Sequence, residues 1–348
     1  MTLKGKKETT NQIRYSIKGA PVQHIAFLKV HKAASTSIQN IFLRYGHEHN
    51  LVFALPKGKD PAGVQSLTPH AIFPIPTNRT IDIFCAHVRF NRNDFIRMLP
   101  KDTVYIGIVR EPFSQFKSNI QFLREKQWIQ IPNKKISVSE YLSRNEKYVK
   151  SRGRVRRPVT YNAMAHDFGF PFDLFWKTDY NAIQDHLLRL NEEFDIVLVL
   201  EYLDESIVLM RRLLNWDLKY VLYGKLNVLK NPDKDLNFGP NEEKLYQNWA
   251  KLDYALYYFF LQKYKERLRA QSPDFFEEVA YFRETRFRYD HFCTNLIASK
   301  NDENVMLFEG SRWNRPFVVT KEDCGKLYIH DVDFLEILKR KHLKLANI

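Results

Sequence analysis

The chain has 348 residues, enough to bury a full core as one large α/β domain or as one domain with an embellishment. Hydrophobic content of 44% and aromatic content of 14% exclude a disordered chain, and no run of about 18 apolar residues is present to span a membrane. The net charge of +14 points to anionic partners: a nucleotide, a sulfated or acidic glycan, nucleic acid or a membrane surface.

Residues 1–22 are polar and basic and lack the apolar core of a signal peptide, so they read as a flexible basic arm or stem ahead of a single domain over residues 23–348. Ile25–Val30 is short, β-branched and aromatic, the pattern of a buried strand. It runs into the small-residue turn His31-Lys32-Ala33-Ala34-Ser35-Thr36-Ser37. Ile38, Ile41, Phe42 and Tyr45 then fall at i, i+3, i+4 and i+7, one face of an amphipathic helix. A strand, a small-residue loop and a helix N-terminus aim backbone N–H groups and the helix dipole at an anion. Lys32 adds a point charge, Ser35, Thr36 and Ser37 add hydroxyl donors, and Ala33 and Ala34 let a phosphate approach the backbone. The glycines of GxxxxGK[ST] are absent, so this is not a Walker A loop. The same residues also suit an ordinary βα turn capped by Ser35 or Thr36.

Residues 46–80 are rich in Pro and Gly and read as a long irregular connection. Asn78-Arg79-Thr80, within it, is an N-glycosylation acceptor triplet. Ile81–Ala86 is a second strand, with His87 just past its end, where open α/β sheets place ligands. A short helix follows over Asn93–Met98. Val104–Val109 is a third strand, and Pro112 suits the first turn of a helix whose apolar face is Phe113, Phe116, Ile120 and Leu123. Arg110 sits at this strand end and Ser118 lies about two turns into the helix. The two could share one phosphate, or form a salt bridge and a polar helix face.

Ser139–Val149 reads as a helix, Lys150–Arg157 as a basic loop, and Tyr161–Phe170 as a short helix ending in a glycine turn. Asp179–Asn191 is a further helix, Phe194–Leu200 the fourth strand, and Ile207–Leu214 the helix after it. Trp216–Leu226 reads as a linker, Asn241 as the N-cap of one long helix reaching about residue 268, and Asp274–Phe292 as another helix. The last 55 residues carry no motif. Cys85 reads as a buried thiol. Cys293 and Cys324 could pair if the compartment is oxidising, which the sequence does not show, and the three cysteines lack metal-ligand spacing.

Four strands alternating with helices give an α/β class with a mainly parallel sheet. With FLKVHKAAST at 27–36, RYG at 44–46, HVRF at 87–90, IVREP at 108–112 with Ser118, NAMAHDFGF at 162–170, the block 194–218, YGKLN at 223–227 and NWAKLDYALYYFF at 248–260, the chain resembles the galactose-3-O-sulfotransferase family, which includes galactosylceramide sulfotransferases. The likeness runs from about residue 24 to 292, and the block at 194–218 is its specific part.

The resemblance implies a P-loop-like sulfotransferase fold, a mainly parallel sheet flanked by helices. It implies 3′-phosphoadenosine 5′-phosphosulfate (PAPS) as sulfate donor and no metal. It maps the 5′-phosphosulfate onto His31–Ser37 (Lys32, Ala33, Ala34, Ser35, Thr36 and Ser37) and the 3′-phosphate onto Arg110 and Ser118. The family's functional histidines map onto His31 and His87. Of these His87, off the phosphate loop, is the expected base, with His31 second and Lys32 neutralising the leaving phosphate. The acceptor implied is the 3-hydroxyl of a β-linked galactose on a glycolipid or glycoprotein glycan, with Trp128, Trp176 or Tyr161 stacking on the sugar.

Relatives are typically anchored at the Golgi membrane facing the lumen, whereas this chain carries no anchor segment. Nucleic acid is not an expected partner. Three alternatives stand beside this reading. One is a nucleotide kinase, opposed by the missing Walker glycines. Another is a non-catalytic basic module for sulfated glycan or nucleic acid, whose binding would fall steeply with salt. The third is a sulfotransferase with another carbohydrate acceptor.

Overall fold

The structure, a computed structural model, describes residues 19–57, 63–64, 66–125, 137–143, 160–224, 236, 238–298 and 305–345. Its centre is a four-stranded sheet of β1 (Ile25–Phe27), β2 (Ile83–Phe84), β3 (Val104–Val109) and β4 (Ile196–Val199), in the order β2-β1-β3-β4. All three pairings are parallel. The strands are buried on both faces, which is why they read as continuous apolar runs rather than alternating ones.

Helix α1 (Ser35–Glu48) follows β1, and Ile38, Ile41, Phe42 and Tyr45 are all within 1% of full burial. Helix α2 (Arg92–Met98) is capped by the Asn91 side chain, which accepts from Asn93 and Asp94 N–H. Helix α3 (Pro112–Glu125) follows β3, and α4 (Val138–Ser143) takes the first part of the helix expected at 139–149. The rest of that stretch, the 150–157 basic run, Trp128 and residues 1–18 of the N-terminal arm lie outside the described residues. Gly19 to Val22 are tied to the fold: Val22 N–H donates to Leu214 O, and Trp216 Nε1–H donates to Val22 O.

Helices α5 (Ala163–Asp167) and α6 (Tyr180–Glu193) precede β4, and α7 (Leu203–Leu214) follows it. The expected linker at 216–226 contains a short helix, α8 (Leu218–Val221). The single long helix expected from residue 241 is two: α9 (Pro240–Trp249) and α10 (Lys251–Arg269). The break at Ala250 has a tertiary cause. The Asn162 side-chain oxygen accepts the N–H groups of Leu252 and Asp253, so α10 begins afresh under a cap from a distant residue. Gly239, not Asn241, is the N-cap of α9, with Pro240 at its first position.

The helix expected at 274–292 is present and runs on to residue 298, and the last 55 residues, which carry no motif, hold among the described residues a hairpin and two further helices. Helix α11 (Asp274–Ala298) packs on α12 (Lys321–Tyr328), with an antiparallel hairpin of β5 (Met306–Phe308) and β6 (Phe317–Val319) between them in the chain. Cys293 and Cys324 form a disulfide joining α11 to α12. Cys85 is a buried free thiol, and burial pushes it up to about 12.

The final helix, α13 (Asp331–Leu345), runs against α1. Its first residue, Asp331, makes a buried 2.5 Å ion pair with Lys29, itself 1% exposed, at the end of β1. No helix among the described residues is long and apolar enough to cross a membrane.

Candidate active site

The order β2-β1-β3-β4 sets a topological switch between β1 and β3, since the chain leaves β1 toward one edge and β3 toward the other. In open parallel sheets the crevice at such a point, beyond the strands' carboxyl ends, is where ligands sit. Lys32 follows β1 and Arg110 follows β3, and an Arg110 Nη1–H donates to Lys32 O at 3.0 Å across this crevice.

The loop from β1 to α1 has an unusual backbone. Lys32 and Ala34 both have positive φ, 57° and 53°. Left-handed residues in a tight loop turn successive N–H groups toward one concavity, the geometry of an anion-binding nest. Ala34 is the N-cap of α1 and its side chain supplies no capping bond. Of the two hydroxyl caps the sequence allows, Ser35 is spent elsewhere: its Oγ–H donates to Val30 O at 2.6 Å. Ser37 N–H donates to Ala34 O. Ala33 and Ser37 are buried, and Thr36 is half-buried at the helix start.

Helix α3 backs the loop. Gln115 donates from Nε2 to His31 O at 2.9 Å, and the Phe122 ring lies 4.2 Å from the Lys32 ammonium. Ser118 sits between them on the same helix face, at i+3 from Gln115 and i−4 from Phe122, and is half-buried. Burial, helped by the Arg110 charge, lowers Lys32 to about 8, so its charge is held at an energetic cost that an arriving anion would relieve.

The two histidines meet. The rings of His31 and His87 stack with centroids 3.9 Å apart and planes 21° apart. His87 Nδ1–H donates to Lys29 O at 2.6 Å, and His31 Nδ1–H donates to Asp167 Oδ2 at 2.6 Å. A backbone carbonyl can only accept, so this bond sets the His87 tautomer and leaves Nε2 as the basic nitrogen of the neutral ring; the Asp167 carboxylate orients the His31 ring in the same way. Asp167 is 1% exposed and also accepts the backbone N–H of His31 at 2.9 Å. Sequence reasoning misses the role of Asp167, because a carboxylate 136 positions along the chain from its histidine leaves no local spacing signal.

Two glycines let these segments close up. A Cβ on Gly169 (φ 75°) would lie 2.2 Å from Phe90 O, and one on Gly107 would lie 2.9 Å from the Phe168 ring. Phe90 N–H donates to Asp167 O, so the strand end carrying His87 is pressed against the turn carrying Asp167. Behind Asp167, burial pushes the Asp253 carboxyl up to about 7; the Asp167 charge adds to this, and a hydrogen bond from Ala165 N–H opposes it. Among the described residues no group of three or more His, Cys, Asp or Glu side chains could hold a metal.

Of the candidate sugar-stacking rings, Tyr161 is buried and stacked on Trp249 at 4.7 Å, while Trp176 is 55% exposed.

The parallel sheet, its flanking helices and this strand–loop–helix make the fold that of an α/β sulfotransferase. The family model "Galactose-3-O-sulfotransferase" matches residues 4–305. The chain is 32% identical over 311 residues to mouse galactose-3-O-sulfotransferase 2, covering 84% of this chain and 77% of the relative. It is 32% identical over 345 residues to mouse galactose-3-O-sulfotransferase 3, covering 93% and 79%. It is 29% identical over 293 residues to mouse galactosylceramide sulfotransferase, covering 78% and 64%. The chain belongs to the galactose-3-O-sulfotransferase family.

Proposed function

We propose that the protein transfers a sulfuryl group from PAPS to the 3-hydroxyl of a β-linked galactose on a glycolipid or glycoprotein glycan. The observation that carries this reading is the crevice between β1 and β3, where the Lys32 loop and Arg110 meet beside a stacked pair of histidines. The backbone of the turn at Ala33 to Thr36, with Lys32, would hold the 5′-phosphosulfate, and Arg110 with Ser118 the 3′-phosphate. The donor, when bound, supplies an activated sulfuryl group with a phosphate leaving group.

His87 Nε2 takes the proton of the galactose 3-hydroxyl as the new oxygen–sulfur bond forms. Lys32 and the loop N–H groups meet the charge that appears on the departing phosphate as the old bond breaks. The His31–Asp167 pair supports His87 by stacking. It also favours a second assignment, with His31 as the base, because a buried carboxylate orients its ring. The relatives' names supply the acceptor class. A Golgi lumenal setting belongs to the same reading, supported by the Cys293–Cys324 disulfide and the exposed Asn78 triplet.

The test is sulfate transfer from radiolabelled PAPS to galactosylceramide, lactosylceramide, N-acetyllactosamine and a 3-O-methyl galactoside. Label in a free 3-hydroxyl acceptor and none in the methylated control is expected. Equal labelling of the control would refute the position, and no transfer to any galactoside would refute the acceptor class.

A further inference from the structure

Phe172 opens the short 3₁₀ turn Phe172–Phe175 and is 46% exposed, although the two phenylalanines just before it, Phe168 and Phe170, are fully buried. One face of its ring is covered by the Arg89 guanidinium at 4.4 Å. Arg89 lies two residues past His87 and is held in place by Nη2, which donates to Gly169 O at 3.2 Å and Phe170 O at 2.8 Å. Its Nε is buried without a hydrogen-bond partner. The His166 ring lies 6.1 Å from the Phe172 ring, tilted to it. The His166 Nδ1 is also buried without a hydrogen bond, standing 3.6 Å from the Asp167 carboxylate that holds His31. Buried donors and acceptors are ordinarily satisfied, so two unpaired buried atoms beside one exposed ring set this corner of the fold apart.

We propose that Phe172, fixed by Arg89 and flanked by His166, is the platform on which the galactose ring of the acceptor lies; this rests on the galactoside reading above. Galactopyranose is amphipathic. Its axial 4-hydroxyl stands on one face, leaving C3–H, C4–H and C5–H together on the other. Those hydrogens, made electron-poor by the neighbouring oxygens, suit the negative face of an aromatic ring, while the rim hydroxyls suit a guanidinium and an imidazole. The contacts from Phe172 to the reactive pair pass through only His166 and Asp167. On this proposal the 3-hydroxyl of a sugar on the ring is presented toward that pair.

Kinetics and saturation-transfer NMR with methyl β-galactoside test this on the wild type, Phe172→Ala and Phe172→Tyr. Phe172 is exposed, so its truncation leaves the fold intact. Phe172→Ala is expected to raise KM for the galactoside by about tenfold with KM for PAPS within about twofold, and Phe172→Tyr to restore it. In the NMR experiment the wild type should saturate H3, H4 and H5 most, and Phe172→Ala should lose that signal. A wild type that sulfates galactosides, with Phe172→Ala unchanged in acceptor KM, would overturn the platform and leave the functional reading standing. A wild type that transfers no sulfate but shows the Phe172-dependent NMR signal would overturn the transfer reading and support the platform. No saturation in the wild type would overturn the platform.

Discussion

Asp167→Asn perturbs the buried carboxylate that orients His31. The carboxylate accepts two hydrogen bonds from His31, one from the backbone N–H at 2.9 Å and one from Nδ1–H at 2.6 Å. The amide keeps the shape and offers one neutral acceptor oxygen. Hydrogen bonds to a charged acceptor contribute about 1.5–3 kcal/mol and neutral ones about 0.5–1.5, so each bond weakens by about 1 kcal/mol. With His31 as the base its imidazole gains positive character in the transition state, and the weaker Nδ1–H bond lowers kcat by about fivefold, the backbone bond being the same in both states. The assay is the rate of sulfate transfer at saturating donor and acceptor, with thermal unfolding alongside. His31→Ala combined with Asp167→Asn should be little worse than the worse single variant, because the two residues act as a unit. A kcat within threefold of wild type, in a protein that unfolds at the wild-type temperature, would refute the catalytic importance of this pair.

Other expectations follow from groups that burial has perturbed. Lys32 is lowered to about 8, so donor affinity should fall as pH rises through that value and the lysine loses its charge; Lys32→Arg should flatten the profile of KM for PAPS between pH 7 and about 9. Asp253 is raised from 3.8 to about 7, so the folded state binds more protons than the unfolded one between those values. Its contribution to stability is therefore fully present below about pH 4 and lost as pH rises through about 7, and Asp253→Asn should remove that part of the pH dependence of the unfolding temperature. Asp331→Asn leaves the buried Lys29 ammonium unpaired and should destabilise by about 3–5 kcal/mol in urea unfolding, whereas Lys29→Met with Asp331→Leu should recover most of the loss. Gly169→Ala would drive a Cβ into Phe90 O, and this variant should show reduced expression and a lower unfolding temperature.

The sheet was legible because parallel strands buried on both faces are written as short apolar runs, and Val104–Val109 matched its strand to the residue. The other strands are three or four residues shorter than their apolar runs, since apolar character continues beyond the ladder into the buried loops, as at Leu28 and Val30. Helix faces at 38–45 and 113–123 were equally plain. What escaped were features made by residues far apart in the chain. Asn162 breaks the 240–269 helix from outside, Asp331 reaches Lys29 across 302 positions, and Asp167 finds His31 across 136.

The site divides in the same way. The strand-end rule placed Lys32, His87 and Arg110 near one another without contacts. The stacking of the two histidines and the identity of their partners needed coordinates. Of the rings expected to stack on the sugar, Tyr161 lies in the core, and the exposure of Phe172 has no sequence signal because an exposed phenylalanine and a buried one look alike.

The central claim is that the crevice between β1 and β3 holds the nucleotide donor. Calorimetric titration with 3′-phosphoadenosine 5′-phosphate, the product left after transfer, tests it most directly. The account predicts saturable one-to-one binding, weakened about tenfold or more by Arg110→Met and left within about twofold by His87→Ala. Binding that Arg110→Met leaves unchanged, or that His87→Ala abolishes, would contradict it.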